Sequence, residues 1–150
     1  MPTLLGSLTR ATNLLRHHFD DRVCELGIGT SEYLVMRAAL LNRDASTAEI
    51  RRSLGVLDPA FSDVIRRTAF RGYIVQKPYR GNRRTKTVTL TLPGEIAFRI
   101  AAEIQRDLEA NAGAGPWMDD SLERLDVIGR RLSIVPPAER DVDGLPVVTA

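Results

Sequence analysis

"KPYRGNRRTKTVTLT" runs from Lys77 to Thr91. Thr85 to Leu92 alternates, with Val88, Leu90 and Leu92 on one face and Thr87, Thr89 and Thr91 on the other, which predicts a half-buried strand. Tyr73 to Lys77 predicts its partner. Between them lies a turn around Gly81-Asn82 that carries Arg80, Arg83 and Arg84. The expectation is a β-hairpin with a cationic tip.

Upstream, Asp58 is expected to cap a helix with Pro59 at its first position. Phe61, Val64, Ile65 and Thr68 would face inward, and Gly72 would end it. Ser62, Arg66 and Arg67 would face outward, with Ala60 and Asp63 near them. "STAEIRRSLGV" precedes it. Ser46 and Glu49 have capping-box spacing, and Gly55 is a C-terminal stop. Two short helices joined by a tight turn, the second bearing polar and basic residues, form a helix-turn-helix pattern.

Leu4, Leu8, Ala11, Leu15, Phe19, Val23 and Leu26 recur every three or four residues and predict a long first helix ending at Gly27. Such a helix often packs on a partner chain. A second helix is expected from about Ser31 to Leu41, capped by Thr30 or Ser31. Its apolar face is Tyr33, Met36, Leu40 and Leu41. After the hairpin, Pro93 and Gly94 open a helix to about Asn111, with Ile96, Ile100, Ile104 and Leu108 four apart. "NAGAGP" breaks it. A last helix spans about Asp119 to Leu132, and the tail from Pro136 has no clear period. The fold class is mainly α with a small β-hairpin.

Charge is uneven along the chain. Residues 51–86 hold ten Lys/Arg against two Asp, a net of +8. Residues 1–50 carry a net of −1 and residues 95–150 a net of −5. A basic middle between acidic ends suits a polyanion. No apolar run approaches bilayer-spanning length. No signal peptide is evident, so a cytoplasmic location is expected. The single cysteine, Cys24, excludes an intrachain disulfide and is expected to be a buried or interfacial structural residue. Adjacent His17 and His18 point about 100° apart on a helix, which does not suit joint chelation of one metal. No nucleophile elbow, phosphate loop or metal motif occurs, so neither catalysis nor a cofactor is expected.

This order of elements resembles the MarR family of bacterial winged-helix transcription regulators over about residues 4 to 132. The wing carries the most specific part: Asn82-Arg83-Arg84, the strand Thr85 to Thr89, then Leu90-Thr91-Leu92-Pro93-Gly94. Leu26-Gly27-Ile28, Leu54-Gly55-Val56 and Arg71-Gly72 also match. Three positions depart from the pattern. Asn82 replaces an Asp, Arg51 a small Ala, and Thr68 a Leu.

The resemblance implies a winged helix-turn-helix lobe over residues 30–92. Residues 1–26 and 94–135 would be dimerisation helices, and 136–150 a tail. It implies a homodimer on double-stranded DNA at a roughly palindromic operator, acting as a repressor, with recognition helix in the major groove and wing in the minor. Ser62, Arg66 and Arg67 would lie at the bases, since Arg forks onto guanine O6 and N7, with phosphate or solvent contact as the alternative for the two arginines. Ala60 would allow close approach, and Asp63 would act on the positive helix N-terminus or accept from a cytosine amino group. Arg83 or Arg84, supported by Asn82, would enter the minor groove. Lys77, Arg80 and Lys86 would clamp phosphates. A small phenolic or anionic effector would bind near His17, His18, Tyr33, Met36 and Arg37. The competing expectation is a winged-helix protein-interaction module with weak or no specific DNA binding.

Overall fold

The computed structural model describes residues 1–79 and 81–134. Arg80 and the tail 136–150 lie outside the described residues. The elements are α1 (Leu4–Val23), α2 (Thr30–Leu41), α3 (Thr47–Leu54), α4 (Asp58–Phe70), β1 (Ile74–Tyr79), β2 (Asn82–Leu90), α5 (Leu92–Asn111) and α6 (Pro116–Ile134). The fold is mostly helical with a two-stranded antiparallel hairpin, a winged helix. Met1–Asn111 form one compact unit, and α6 belongs to a second.

The capping box forms as its spacing predicts. Glu49 N–H donates to Ser46 Oγ at 3.2 Å, and Ser46 N–H donates to Glu49 Oε2 at 2.7 Å. Gly55 closes α3 with φ 64°, in the left-handed region where a Cβ is strained. α4 starts one residue earlier than expected. Leu57 is its N-cap, and Leu57 C=O accepts the first helical bond from Phe61 N–H. Asp58 is therefore the first helical residue and Pro59 the second. Ser46 also bridges to Thr87, so the hairpin is tied to the start of α3.

One core cluster joins the helix-turn-helix to the hairpin. Met36, Ile50, Phe61, Val64, Ile65, Ile74 and Val88 are all buried in it. Burying each such side chain contributes about 1.5–3 kcal/mol. Thr68 is fully buried here, and its hydroxyl donates to Val64 C=O at 2.7 Å. A polar residue at this core position is thus hydrogen-bonded within its own helix. A second cluster gathers Phe19, Val23, Ile28, Tyr33 and Ala101. There the Tyr33 ring stacks on Phe98, centroids 5.3 Å apart.

Several expectations are corrected. The cap of α2 is Gly29, not Thr30 or Ser31. The Asp20 carboxylate on α1 accepts from both the N–H and the hydroxyl of Thr30, which makes Thr30 the first helical residue. Leu41 is exposed, because it lies on the outer face of α2 with Leu34 and Arg37, about 20° and 40° from them around the helix. Leu92 is not on the strand but opens α5, because Thr91 caps that helix. The Thr91 hydroxyl oxygen accepts from Gly94 N–H, and the hydroxyl donates to Gly72 C=O. Of the two settings expected for Cys24, the buried one is corrected: Cys24 is exposed in the single chain. It sits in the 3-10 turn Cys24–Leu26, and its thiol donates to Asp21 C=O.

α1 is covered only near its end. Phe19 and Val23 are buried, whereas Leu4, Leu5, Leu14 and Leu15 are each about half exposed or more. α5 behaves alike. Ala97 and Ala101 are buried while Ile96 and Ile100 are exposed.

Candidate nucleic-acid interface

α4 presents Ala60, Ser62, Asp63 and Arg66 to solvent. Arg66 Nη2 donates to Asp63 Oδ1 at 2.7 Å, an exposed pair that competes weakly with any stronger anion. Arg67 differs from the free outward arginine expected. Its guanidinium reaches across to α2, with Nε and Nη2 at 3.0 and 2.8 Å from Glu32 Oε1. The other Glu32 oxygen accepts from Gly29 N–H at 3.0 Å.

The wing is longer than predicted, and its tip is a bulge. Strand pairing passes from Pro78↔Lys86 to Tyr79↔Asn82, which leaves Arg83, Arg84 and Thr85 unmatched on β2. A bulge re-aims side chains away from the ladder. Arg83, Arg84, Lys77 and Lys86 are all exposed. Asn82 holds the tip through the backbone, since Arg84 N–H donates to Asn82 Oδ1 at 2.9 Å. An amide oxygen fulfils that role without a charge.

Two contacts tie the end of α4 to the 3-10 turn. Tyr73 Oη donates to Leu26 C=O at 2.7 Å. The Arg71 guanidinium covers Gly27, whose φ is 69° and where a Cβ would collide with it. These contacts give the Leu26-Gly27 and Arg71-Gly72 motifs a physical meaning. Gly94 is similar, because a Cβ there would strike Tyr73 C=O.

A cleft of about 770 Å³ runs along the outer face, between α3, α4 and β1. Ser62, Arg66 and Phe70 line it from α4, Thr47 and Arg51 from α3, and Gln76 from β1. Phe70 joins this face although no motif marks it; its spacing of four from the outward Arg66 is the signal that points to it.

A separate cavity of about 230 Å³ opens between α1, α2 and α5. Of the five effector candidates, only Tyr33 lines it. His17 is exposed and lies 3.4 Å from Asp21, His18 and Arg37 are exposed, and Met36 is sealed in the core. Arg16, Gln105 and Glu109 supply polar groups to the cavity. Their convergence depends on helix packing that no local motif encodes. Burial pushes the Tyr33 phenol above its usual pKa; Arg37 draws it down, Glu109 adds to the rise, and Arg106 opposes it.

No family model and no curated protein matches the chain. Solved structures do. The chain is similar to the transcriptional regulator MosR of M. tuberculosis in complex with DNA, at TM-score 0.72 and 17% identity over 87% of this chain and 96% of that one. It is similar to the S. aureus MepR–DNA complex, at TM-score 0.73 and 13% identity over 88% and 99%. A SlyA-like transcription regulator from Listeria monocytogenes gives TM-score 0.78 and 15% identity over 89% and 91%. These likenesses show the winged-helix fold. Among the described residues, no helix is long and apolar enough to cross a membrane.

Proposed function

We propose that this chain is a cytoplasmic DNA-binding transcriptional regulator of MarR type, acting as a homodimeric repressor on a roughly palindromic operator. The observation that carries the reading is the exposed wing tip. Arg83 and Arg84 stand in a bulge next to Lys86, with Lys77 on the facing strand, and all four are exposed. Arginine at such a tip suits the negative potential of a minor groove. Ser62 and Arg66 suit base edges in the major groove, and Arg67 serves as a brace rather than a reader. The exposed leucines of α1 and isoleucines of α5 supply an apolar surface for a second copy.

The DNA complexes of MosR and MepR, which share the fold, support the same reading. A small phenolic or anionic effector would occupy the cavity beside Tyr33, where Arg16 offers a cation. The test is fluorescence anisotropy with duplex from upstream of the chain's own gene, across a salt series. If each subunit neutralises about four phosphates, log K falls against log salt with a slope of roughly −7. A slope near zero would leave a protein-interaction module as the better reading.

A further inference from the structure

We propose that Phe70 is a DNA-contacting residue that reads thymine methyl groups in the major groove. The inference deepens the DNA-binding reading above and rests on it.

Phe70 is the last residue of α4 and is 92% exposed. A phenylalanine normally buries about 150–250 Å² of surface, so leaving one in water forgoes a large stabilisation. Nothing in the core requires Phe70 to be there, because Phe61, Val64, Ile65 and Thr68 already fill the inner face of the helix. Its position on the outer face is specific. Ser62, Arg66 and Phe70 are spaced by four and so form one stripe, each about 40° from the last. All three line the same cleft.

The surroundings select the partner. Phe70 forms a ridge between that cleft and a second one of about 620 Å³, lined by Arg66, Arg67, Arg71 and Tyr73. Arg67 pairs with Glu32 and Arg71 lies over Gly27, so Arg66, held only by an exposed pair with Asp63, is the cation beside the ring. A cation and an aromatic ring side by side fit a polyanion that also offers apolar groups. Duplex DNA meets both demands, with phosphate or a guanine edge for the guanidinium and the thymine C5-methyl for the ring. Ser62 and Phe70 are about 12 Å apart along the helix axis. On a helix laid in the major groove, that separation puts Phe70 and Ser62 over different base pairs. Arg66 would read between them.

The experiment uses a duplex that the wild-type chain selects from a random-sequence pool. Each thymine is replaced in turn by deoxyuridine, which lacks only the 5-methyl group. At one or two positions per half-site, wild-type affinity is expected to fall roughly fourfold, the value of one buried methyl-sized group. Phe70→Ala is expected to bind the thymine duplex about tenfold more weakly and to ignore uracil at those positions. Its thermal midpoint should match wild type, because the residue packs on nothing.

Three results would overturn the inference. One is a wild-type chain that binds its duplex tightly but is indifferent to every uracil, which leaves the DNA-binding reading intact. Another is a Phe70→Ala chain that binds that duplex as wild type does and keeps the same response to uracil. A wild-type chain that selects no duplex at all removes the DNA-binding reading and this inference together.

Discussion

Arg67 and Glu32 form an ion pair that joins α4 to the start of α2, with Nη2 and Nε 2.8 and 3.0 Å from one carboxylate oxygen. The Glu32 side chain is only 11% exposed, against 57% for Arg67. Arg67→Ala would leave a nearly buried carboxylate with Gly29 N–H as its donor. The expected cost is about 1–2 kcal/mol, below that of a fully buried pair because Arg67 is half in water. Urea denaturation measures this. Duplex selection from a random pool should return the wild-type base preference. An altered preference at unchanged stability would instead make Arg67 a base reader.

Gly94→Ala tests the close approach at the start of α5. The added Cβ would meet the Tyr73 carbonyl, which is backbone and cannot swing aside. A loss of at least about 2 kcal/mol is expected. Gly129→Ala, in α6, meets nothing within reach and should be neutral or slightly stabilising. Thermal melts of the two variants compare them directly.

Arg84→Ala should weaken DNA binding across all sequences, because the wing sets affinity more than base choice. Two subunits each lose one contact, so the salt slope should become shallower by about 2. Anisotropy titrations at several salt concentrations read both effects. An unchanged slope would mean that Arg84 does not reach the phosphates.

Tyr33 makes stability depend on alkaline pH. Its phenol is raised above the usual value near 10, so the folded chain favours the neutral form. In the unfolded chain the phenol ionises first. The native state then binds more protons, and stability falls as pH rises above 10 toward the folded-state value. Below pH 10 this contribution is fully present. Tyr33→Phe should flatten the alkaline part of the denaturation profile relative to wild type, while other titrating groups leave a shared background.

Leu4→Asp combined with Leu5→Asp should shift the chain toward monomer, since both leucines are exposed on α1. Light scattering after size exclusion reports the mass. Affinity for a two-half-site duplex should fall with it, and a single half-site should be affected much less. A variant that stays dimeric would move the interface away from this end of α1.

The helix-turn-helix and the wing were readable because each is specified by neighbours. Ser46 and Glu49 cap α3 from three residues apart, and Gly55 stops it with a left-handed φ. The Val88-Leu90 alternation predicts which face of β2 is inside. Small misplacements occurred where a distant group took over a local role. Asp20 lies ten residues before Thr30 and binds both its N–H and its hydroxyl, so Thr30 is helical instead of being the cap. The bulge at Arg83 and Arg84 was hidden because register depends on both strands at once.

By itself, then, the sequence determined the order of the helices and the capping box and glycine stop of α3, which residues form the inner face of α4, and that a basic hairpin follows it. Those features rest on hydrogen bonds and steric limits spanning a few residues. Tertiary structure alone decided that Arg67 serves Glu32, 35 residues away, while Arg66 stays on the surface. It also decided that Tyr33 reaches the cavity while Met36 is sealed in the core. Those outcomes depend on which helix faces meet, and the free energy of that meeting is shared among many side chains rather than carried by any one motif.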